Sequence, residues 1–361
     1  MILNYGLWSG TCLIILSPLC FISCRFFSRV RHFFVGTWAR YTLAFVRHNC
    51  RNNYVLLYLP AAKGSLDYLV HHFNKHFALT LFKSMNQKFP NQFDLIDNIN
   101  AANLVNCLII SNHQLYIDWV YIWSLLSWNK VEGSLYIIMK RSLQFMPIIG
   151  PAMKVANFVF LSRNWATDQF KLRRRLMRIE NFDPNYNLLI FPEGTTMSKD
   201  SVEKMNTYAK MIDSVPFKNL LFPRVTGTFA TINSLSKIKG ILNITFGYEC
   251  KKEGFLEDIF GIWEAFGKAV IPRVAHVKLE FVPIAEIPKD KDGLSVWLKK
   301  VFSEKDKEIS LLKTQNAFDE KTNQKPIRLP LSPFCSLSLY EATLTFMLCN
   351  MLYFLIAQFI F

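Results

Sequence analysis

The strongest constraint on this chain is that its charged side chains all lie between two uncharged, apolar ends. The first charged residue is Arg25 and the last is Glu341, so residues 1–24 and 342–361 carry no charge. As a helix, each end is about long enough to cross a hydrocarbon core of roughly 30 Å. We therefore predict an N-terminal membrane anchor at 1–24 and a C-terminal transmembrane helix at 342–361. The alternative for the first segment is a cleaved signal peptide, which would normally carry basic residues before its apolar run.

The body between these ends is strongly basic. Its 42 Lys and Arg residues outnumber its 27 Asp and Glu residues, which gives a net charge of +15. Such a charge favours an anionic partner, either nucleic acid or an anionic membrane. Because a nucleic-acid binder has no need of two apolar ends, we expect a lipid bilayer as partner and no nucleic acid. Basic residues follow the first end and precede the last, so the positive-inside rule places the body at 51–330 on the cytosolic side.

Residues 25–50 mix aromatic side chains with arginines, a pattern typical of a basic amphipathic helix that lies in a membrane interface. An ordinary core helix is the alternative. The eight cysteines form no Cys-x-x-Cys pair and no metal-type spacing with histidine, so we expect neither a disulfide framework nor a metal site. The arginines of this segment are Arg25, Arg29, Arg31, Arg40 and Arg47.

From residue 104 onwards, short apolar runs alternate with segments of helical periodicity. This alternation predicts an α/β sandwich with a parallel or mixed sheet, the domain expected at 51–330. The predicted strands are 104–111, 135–139, 158–161, 187–191, 241–248 and 274–282. The predicted helices are 116–128, 142–156, 165–180, 200–212 and 293–313, and a further strand and turn are predicted at 221–227.

The end of the first of these strands carries His113 and Asp118. On one regular helix this spacing would leave the two side chains about 140° apart. They meet if His113 lies on the strand-to-helix turn and Asp118 lies in the first helical turns. Asp118 would then orient the imidazole so that His113 acts as a general base, and backbone N–H groups of such a turn would stabilise an oxyanion. A surface histidine before a helix is the alternative.

Three further segments place phosphate-binding chemistry at strand ends. An arginine after a strand can clamp a phosphate in bidentate fashion, and a glycine turn after a strand suits a phosphate or hydroxyl ligand. Taken singly, each segment is equally explained by a surface charge or a plain turn. The segments are Phe160-Leu161-Ser162-Arg163, Phe191-Pro192-Glu193-Gly194-Thr195 and Leu221-Phe222-Pro223-Arg224-Val225-Thr226-Gly227.

Together and in this order, the four segments resemble the motifs of the glycerolipid acyltransferase family, the 1-acylglycerol-3-phosphate acyltransferase superfamily. The resemblance covers roughly residues 100–250. Lys140-Arg141-Ser142-Leu143 and Pro223-Arg224-Val225-Thr226-Gly227 further resemble the eukaryotic branch of lysocardiolipin and lysophosphatidylinositol acyltransferases.

This resemblance implies acyl transfer from acyl-CoA to a lysophospholipid hydroxyl, with His113 and Asp118 as the catalytic pair. Lysophosphatidylinositol is the favoured acceptor, and lysophosphatidic acid and lysocardiolipin are alternatives. Acyl-CoA is a co-substrate, and no other cofactor is expected. The expected location is the endoplasmic reticulum membrane, with lipid droplets or the mitochondrial outer membrane as alternatives. The implied substrate-binding residues are Asn112, Lys140, Arg163, Glu193, Gly194, Thr195, Pro223 and Arg224.

Two other classes of protein compete with this interpretation. A hydrolase could use the same His–Asp pair, but it would usually carry a Gly-x-Ser-x-Gly elbow, and the sequence has none. A catalytically silent membrane-binding protein would not need the intact motif residues. The basic helix at 165–180 is expected to meet CoA phosphates or anionic headgroups, unless it is simply a solvated face.

Overall fold

The structure is a computed structural model that describes residues 24–50, 53–58, 105–146, 150, 153–154, 156–162, 164–250, 254–266, 268, 270–315, 318 and 326–331. Within these residues, eight strands form one mixed sheet in the order β4-β3-β5-β2-β6-β7-β1-β8. The strands are β1 (Tyr54–Tyr58), β2 (Cys107–Ser111), β3 (Leu135–Lys140), β4 (Val159–Leu161), β5 (Asn187–Ile190), β6 (Gly240–Tyr248), β7 (Val274–Pro283) and β8 (Ile327–Pro330).

Five neighbouring strands of this sheet run parallel to one another. These are β4, β3, β5, β2 and β6. β7 is antiparallel to β6, β1 is parallel to β7, and β8 closes the sheet antiparallel to β1. The carboxyl ends of the five parallel strands therefore meet at one edge, called here the carboxyl edge, where ligands of open α/β sheets usually bind.

Helices cover both faces of the sheet. The first face is covered by α1 and α2, and the second by α3, α5 and α8. The helices are α1 (Cys24–Asn49), α2 (Asp118–Trp128), α3 (Trp165–Phe182), α4 (Lys199–Met211), α5 (Val225–Ser234), α6 (Leu256–Ile259), α7 (Ile262–Phe266) and α8 (Lys291–Gln315), and 3₁₀ turns lie at Glu132–Ser134, Arg141–Phe145 and Ile284–Glu286.

The central strand β2 shows why the sheet needs two covering layers. All five of its residues are buried. Cys107 and Ile109 pack into the core under α1 and α2, whereas Leu108 and Ile110 pack into the core under α3, α5 and α8. Because successive side chains of a strand point to opposite faces, a strand covered on both sides is apolar throughout. The predicted α/β sandwich with a mixed sheet is confirmed.

The structure differs from the sequence prediction in several elements. Residues 221–224 form no strand, and α5 begins directly after them at Val225. The helix predicted at 142–156 is wrong at its start, where the chain forms the 3₁₀ turn Arg141–Phe145. Strands β1 and β8 were not predicted, and together they extend the sheet beyond β7.

Helix α1 confirms the helix predicted at 25–50, but one of its sides belongs to the core. Trp38, Tyr41 and Leu43 are buried against the body. Arg31 is 1% exposed, and its guanidinium donates to the carbonyls of Ala156, Gly133 and Leu135 at 2.8, 3.0 and 2.7 Å. This side of α1 follows the core-helix alternative, and contact of its other side with a membrane stays a prediction.

None of the helices in the described part of the chain is both long and apolar enough to cross a bilayer. The transmembrane helix predicted at 342–361 lies outside the described residues. So does the anchor predicted at 1–24, apart from Cys24, which begins α1.

Candidate active site

The His–Asp pair lies at the carboxyl edge, as the sequence predicts. His113 follows β2, and Asp118 is the first residue of α2. Nδ1 of His113 is 3.0 Å from Oδ2 of Asp118. With Nδ1–H donating to this carboxylate, Nε2 carries the lone pair and can accept a proton. The structure gives Nε2 no hydrogen bond within the described residues.

Both carboxylate oxygens of Asp118 accept hydrogen bonds from the protein. Its Oδ2 also accepts the backbone N–H groups of Gln114 and Leu115, at 2.8 and 3.0 Å. Its Oδ1 accepts the hydroxyl of Tyr248, at the end of β6, at 2.6 Å. Asp118 is fully buried, so this carboxylate serves the imidazole and its own turn rather than a ligand.

The imidazole of His113 is fixed from a second direction by Phe191. The two rings stack with centroids 4.0 Å apart and planes 17° apart. The His113 side chain is 18% exposed, which leaves one end of the ring open to a reacting group. A packed ring with one hydrogen-bonded nitrogen has little freedom to rotate, as a general base requires.

Glu193 joins three of the four segments that the sequence singles out. Its Oε1 accepts the N–H of His113 at 2.7 Å, and its Oε2 accepts the N–H of Leu221 at 2.8 Å. Burial raises the pKa of Glu193 to about 8, although these two N–H groups and Lys305 act in the opposite direction. Its side chain is buried and its two oxygens are bonded to backbone, which does not fit the predicted contact with substrate.

Asn112 has a similar supporting place. Its amide donates to the carbonyl of Phe246 at 2.9 Å and accepts the N–H of Phe246 at 2.8 Å. The side chain is fully buried. It ties the end of β2 to β6, so the predicted contact of Asn112 with substrate does not fit this placement either.

The turn after β5 and the segment before α5 form a joint surface at the same edge. Gly194 has φ +75°, a left-handed conformation that disfavours side chains, and its N–H donates to the carbonyl of Phe191 at 2.9 Å. The N–H of Arg224 donates to the carbonyl of Pro192 at 2.8 Å, and the Arg224 side chain passes over Gly194. Thr195 and Pro223 are partly exposed and Arg224 is exposed, so this surface can meet an anionic ligand.

Lys140 adds a second exposed cation at the carboxyl edge. It is the last residue of β3, and its neighbour across the ladder is Leu161, the last residue of β4. Arg163, two residues further on, lies outside the described residues.

Stabilisation of an oxyanion by backbone N–H groups of the turn after a strand stays a prediction, and three N–H groups of the His113 turn already have partners. The N–H groups of His113, Gln114 and Leu115 are all used by the carboxylates of Glu193 and Asp118.

Sequence reasoning missed two polar residues around the site. Tyr248 ends a predicted strand at the carboxyl edge, and that position is the signal that could have identified it. Lys305 is buried in α8, where its ammonium donates to the carbonyl of Ile244, and burial lowers its pKa to about 7. Its neighbours in the sequence are typical of an ordinary charged helix, so no signal in the sequence distinguishes Lys305.

Sequence comparison connects this site with a known class of enzymes. Residues 93–235 match the family model described as Acyltransferase, and residues 269–338 match the model described as Acyltransferase C-terminus. The chain is 33% identical to an uncharacterized acyltransferase of Schizosaccharomyces pombe, over 71% of this chain and 79% of that protein. The protein is therefore an acyltransferase, and the chain belongs to the glycerolipid acyltransferase superfamily.

Two further relatives have more specific names. The chain is 32% identical to the 2-acyl-1-lysophosphatidylinositol acyltransferase of Saccharomyces cerevisiae, over 60% of this chain and 64% of that protein. It is 25% identical to the probable 1-acyl-sn-glycerol-3-phosphate acyltransferase 5 of Arabidopsis thaliana, over 60% of this chain and 56% of that protein. The chain thus spans slightly less than two thirds of the first of these relatives and a little over half of the second.

Proposed function

We propose that the protein transfers an acyl group from acyl-CoA to the free hydroxyl of a lysophospholipid, with lysophosphatidylinositol as the favoured acceptor. The Saccharomyces cerevisiae relative supports this acceptor by its name. The plant relatives instead favour lysophosphatidic acid, and lysocardiolipin is a further alternative. The observation that carries the proposal is the buried, fully bonded Asp118 beside a partly exposed His113 at the carboxyl edge.

His113 acts as the general base of this reaction. Its Nε2 takes the hydroxyl proton while the hydroxyl oxygen attacks the thioester carbonyl carbon. The carbon–sulfur bond then breaks, and the departing CoA sulfur takes the proton back from the imidazolium. Asp118 stabilises the imidazolium between these two transfers, and general-base assistance is typically worth about 10²–10⁴-fold in rate. No covalent acyl-enzyme is needed because the thioester is already activated.

The acceptor's phosphate is held by cations at the carboxyl edge. Arg224 and Lys140 are exposed there, and Arg163 follows β4 in the sequence. Gly194 and Thr195 shape the surface next to Arg224, and Pro223 restricts the backbone before it. Asn112 and Glu193 do not contact the phosphate. Their buried side chains bond to the backbone and so fix the turns at the carboxyl edge.

The membrane setting belongs to the same proposal. We place the enzyme at the endoplasmic reticulum membrane with its body facing the cytosol, where the acyl donor is dissolved and the acceptor lies in the bilayer. Lipid droplets and the mitochondrial outer membrane are the alternative locations. The uncharged ends of the sequence and the basic residues beside them support this arrangement.

The test is acyl transfer from labelled oleoyl-CoA to a panel of lysophospholipids by membranes that contain the wild type, His113→Ala or His32→Ala. His32 is a matched control because its Nε2 lies 2.6 Å from Oδ2 of Asp183, an equally close His–Asp pair. We expect transfer to one preferred headgroup, lost in His113→Ala and kept per folded molecule in His32→Ala.

Three outcomes would contradict the proposal. Undiminished transfer in His113→Ala would remove the base from the mechanism. Release of free oleate without transfer would indicate a hydrolase. Transfer to lysophosphatidic acid rather than lysophosphatidylinositol would keep the reaction and replace the acceptor.

A further inference from the structure

Helix α3 turns both of its acidic residues into the body. Asp168 is buried and accepts the N–H and hydroxyl of Ser162 at 3.0 and 2.7 Å. Glu180 is buried and accepts the N–H groups of Ser236 and Lys237 at 2.8 and 2.7 Å. Neither carboxylate is left on the outer side of the helix to balance its basic residues.

The outer side of α3 is consequently cationic without acidic neighbours on the same helix. Leu172, Leu176 and Ile179 form its buried side. Among the described residues, no ion pair involves any of the helix's exposed cations. These are Lys171, Arg173, Arg174 and Arg178.

Large apolar side chains lie among these cations. Phe170 is 74% exposed, Met177 44% and Phe182 42%. Spacings of three and four residues bring Phe170, Arg173, Arg174, Met177 and Arg178 onto one stripe, because residues so spaced are neighbours on a helix surface.

Exposed aromatic side chains also lie near both ends of α3. At its start, Trp165 is 41% exposed and follows β4, at the carboxyl edge where the site lies. At its end, Asp183 is bonded to His32 of α1, which joins the two helices. On this part of α1, Phe26 and Phe33 are half exposed.

We propose that the outer stripe of α3 is a docking surface for an anionic lipid bilayer. Its arginines meet lipid phosphates while Phe170 and Met177 enter the headgroup boundary, and docking brings the carboxyl edge to the membrane. The benefit to catalysis rests on the proposed function, since only a bilayer-borne acceptor needs the site at the surface. Docking itself is independent of the reaction.

The chemistry of the stripe favours a bilayer over CoA. A single CoA molecule needs a compact phosphate site, whereas these cations follow the helix and are interleaved with apolar side chains. Interfacial helices combine arginines with aromatic and apolar side chains in this way. Each arginine near an anionic membrane contributes roughly a fivefold preference, so three contribute on the order of 100-fold.

The direct test measures contact rather than activity. The full chain is placed in nanodiscs of brominated phosphatidylcholine, with or without phosphatidylglycerol, and the added fluorescence of Phe170→Trp is compared with wild type. The control is Val296→Trp, a 72% exposed position on α8, whose exposed residues include Asp292 and Glu304. We expect bromine quenching of the Phe170→Trp signal in phosphatidylglycerol discs and none for Val296→Trp.

Charge reversal then tests the arginines. Arg173→Glu, Arg174→Glu and Arg178→Glu are combined in the Phe170→Trp background, and quenching should disappear. The control is Lys291→Glu, Lys300→Glu and Lys307→Glu on α8, which changes the net charge equally and should leave quenching intact. Quenching that survives reversal on α3, or that never appears at Phe170→Trp, would overturn the proposal.

Activity assays separate this proposal from the proposed function. In neutral detergent, the α3 charge-reversal variant should match wild type in kcat and in the KM for acyl-CoA, and its activity should fall only in phosphatidylglycerol bilayers. A raised KM for acyl-CoA in detergent would mean that the arginines bind CoA instead. If the wild type transfers no acyl group, the proposed function fails, while the quenching still decides whether α3 docks.

Discussion

Glu193→Gln tests whether this carboxylate supports the active site or contacts the substrate. The wild-type carboxylate accepts two N–H groups from two different turns, those of His113 and Leu221. Glutamine has nearly the same shape but only one accepting oxygen. One backbone N–H therefore keeps its partner, and the other faces an amide NH₂ group inside the protein.

The cost of this change follows from the hydrogen bonds lost. Because the pKa of Glu193 is raised to about 8, the comparison is made at pH 9, where the carboxylate is charged. A hydrogen bond to a charged group contributes about 1.5–3 kcal/mol, and a buried donor without a partner costs about 1–3 kcal/mol. We expect Glu193→Gln to lower the free energy of unfolding by about 2–3 kcal/mol. For a body of this size, that loss lowers the Tm by roughly 3–5 °C.

The assay compares thermal unfolding and acyl transfer for Glu193→Gln and a matched control, Glu180→Gln. Glu180 also accepts two backbone N–H groups, but it lies at the end of α3, away from the carboxyl edge. Both N–H groups reach Oε1 of Glu180, so Glu180→Gln can keep both and should lose less stability than Glu193→Gln. Only Glu193→Gln should lose kcat, by about 10-fold or more, because the turn that carries His113 is released.

The KM values decide between the two roles. A supporting role predicts a lower Tm and kcat with a nearly unchanged KM for the acceptor. An unchanged Tm combined with a strongly raised KM for the acceptor would refute the reasoning, and it would restore the substrate contact that the sequence predicts.

Three further predictions concern single contacts. Tyr248→Phe removes the hydroxyl that donates to Asp118, and we expect kcat to fall about 10-fold with KM unchanged, measured by steady-state kinetics. Burial lowers the pKa of Lys305 to about 7. Above that pH the folded chain has lost a proton that the unfolded chain still holds, so the free energy of unfolding rises with pH. Between pH 8 and 10 the rise is roughly 2–3 kcal/mol, and urea unfolding should show that Lys305→Met removes it. Gly194→Ala places a side chain at φ +75° and should cost about 1–2 kcal/mol in the same unfolding assay, although the nearest atom to its Cβ, in Arg224, is 3.8 Å away.

The parts of the fold that the sequence predicts correctly are those with strong local patterns. β2 and β5 are short apolar runs, and α3 combines a buried stripe with an Asn164 cap that accepts the N–H of Ala166 at 3.1 Å. The His113–Asp118 contact also follows from local geometry, because a strand-to-helix turn brings the two side chains together. These features depend on few residues that are close in sequence.

Elements that depend on distant partners escaped prediction. β1 and β8 have five and four residues, and they are strands because β7 lies beside β1 and β1 beside β8. Residues 221–223 look like a strand because they are apolar, yet the N–H of Leu221 is bonded to the Glu193 side chain rather than to a neighbouring strand. In each case the deciding partner lies many residues away.

The roles of the motif residues are hard to predict from sequence for a related reason. A polar residue in a motif can bind a ligand or can satisfy the protein's own backbone, and its place in the sequence is the same in both cases. Asn112 and Glu193 are bonded to backbone groups of Phe246, His113 and Leu221, whereas Arg224 faces outward. Burial separates the two roles, because a buried carboxylate or amide is stable only if its partners are already inside. The motif therefore has an inner part that fixes His113 and an outer part that can meet phosphate. A substitution in the inner part should lower kcat, and one in the outer part should raise the KM for the acceptor.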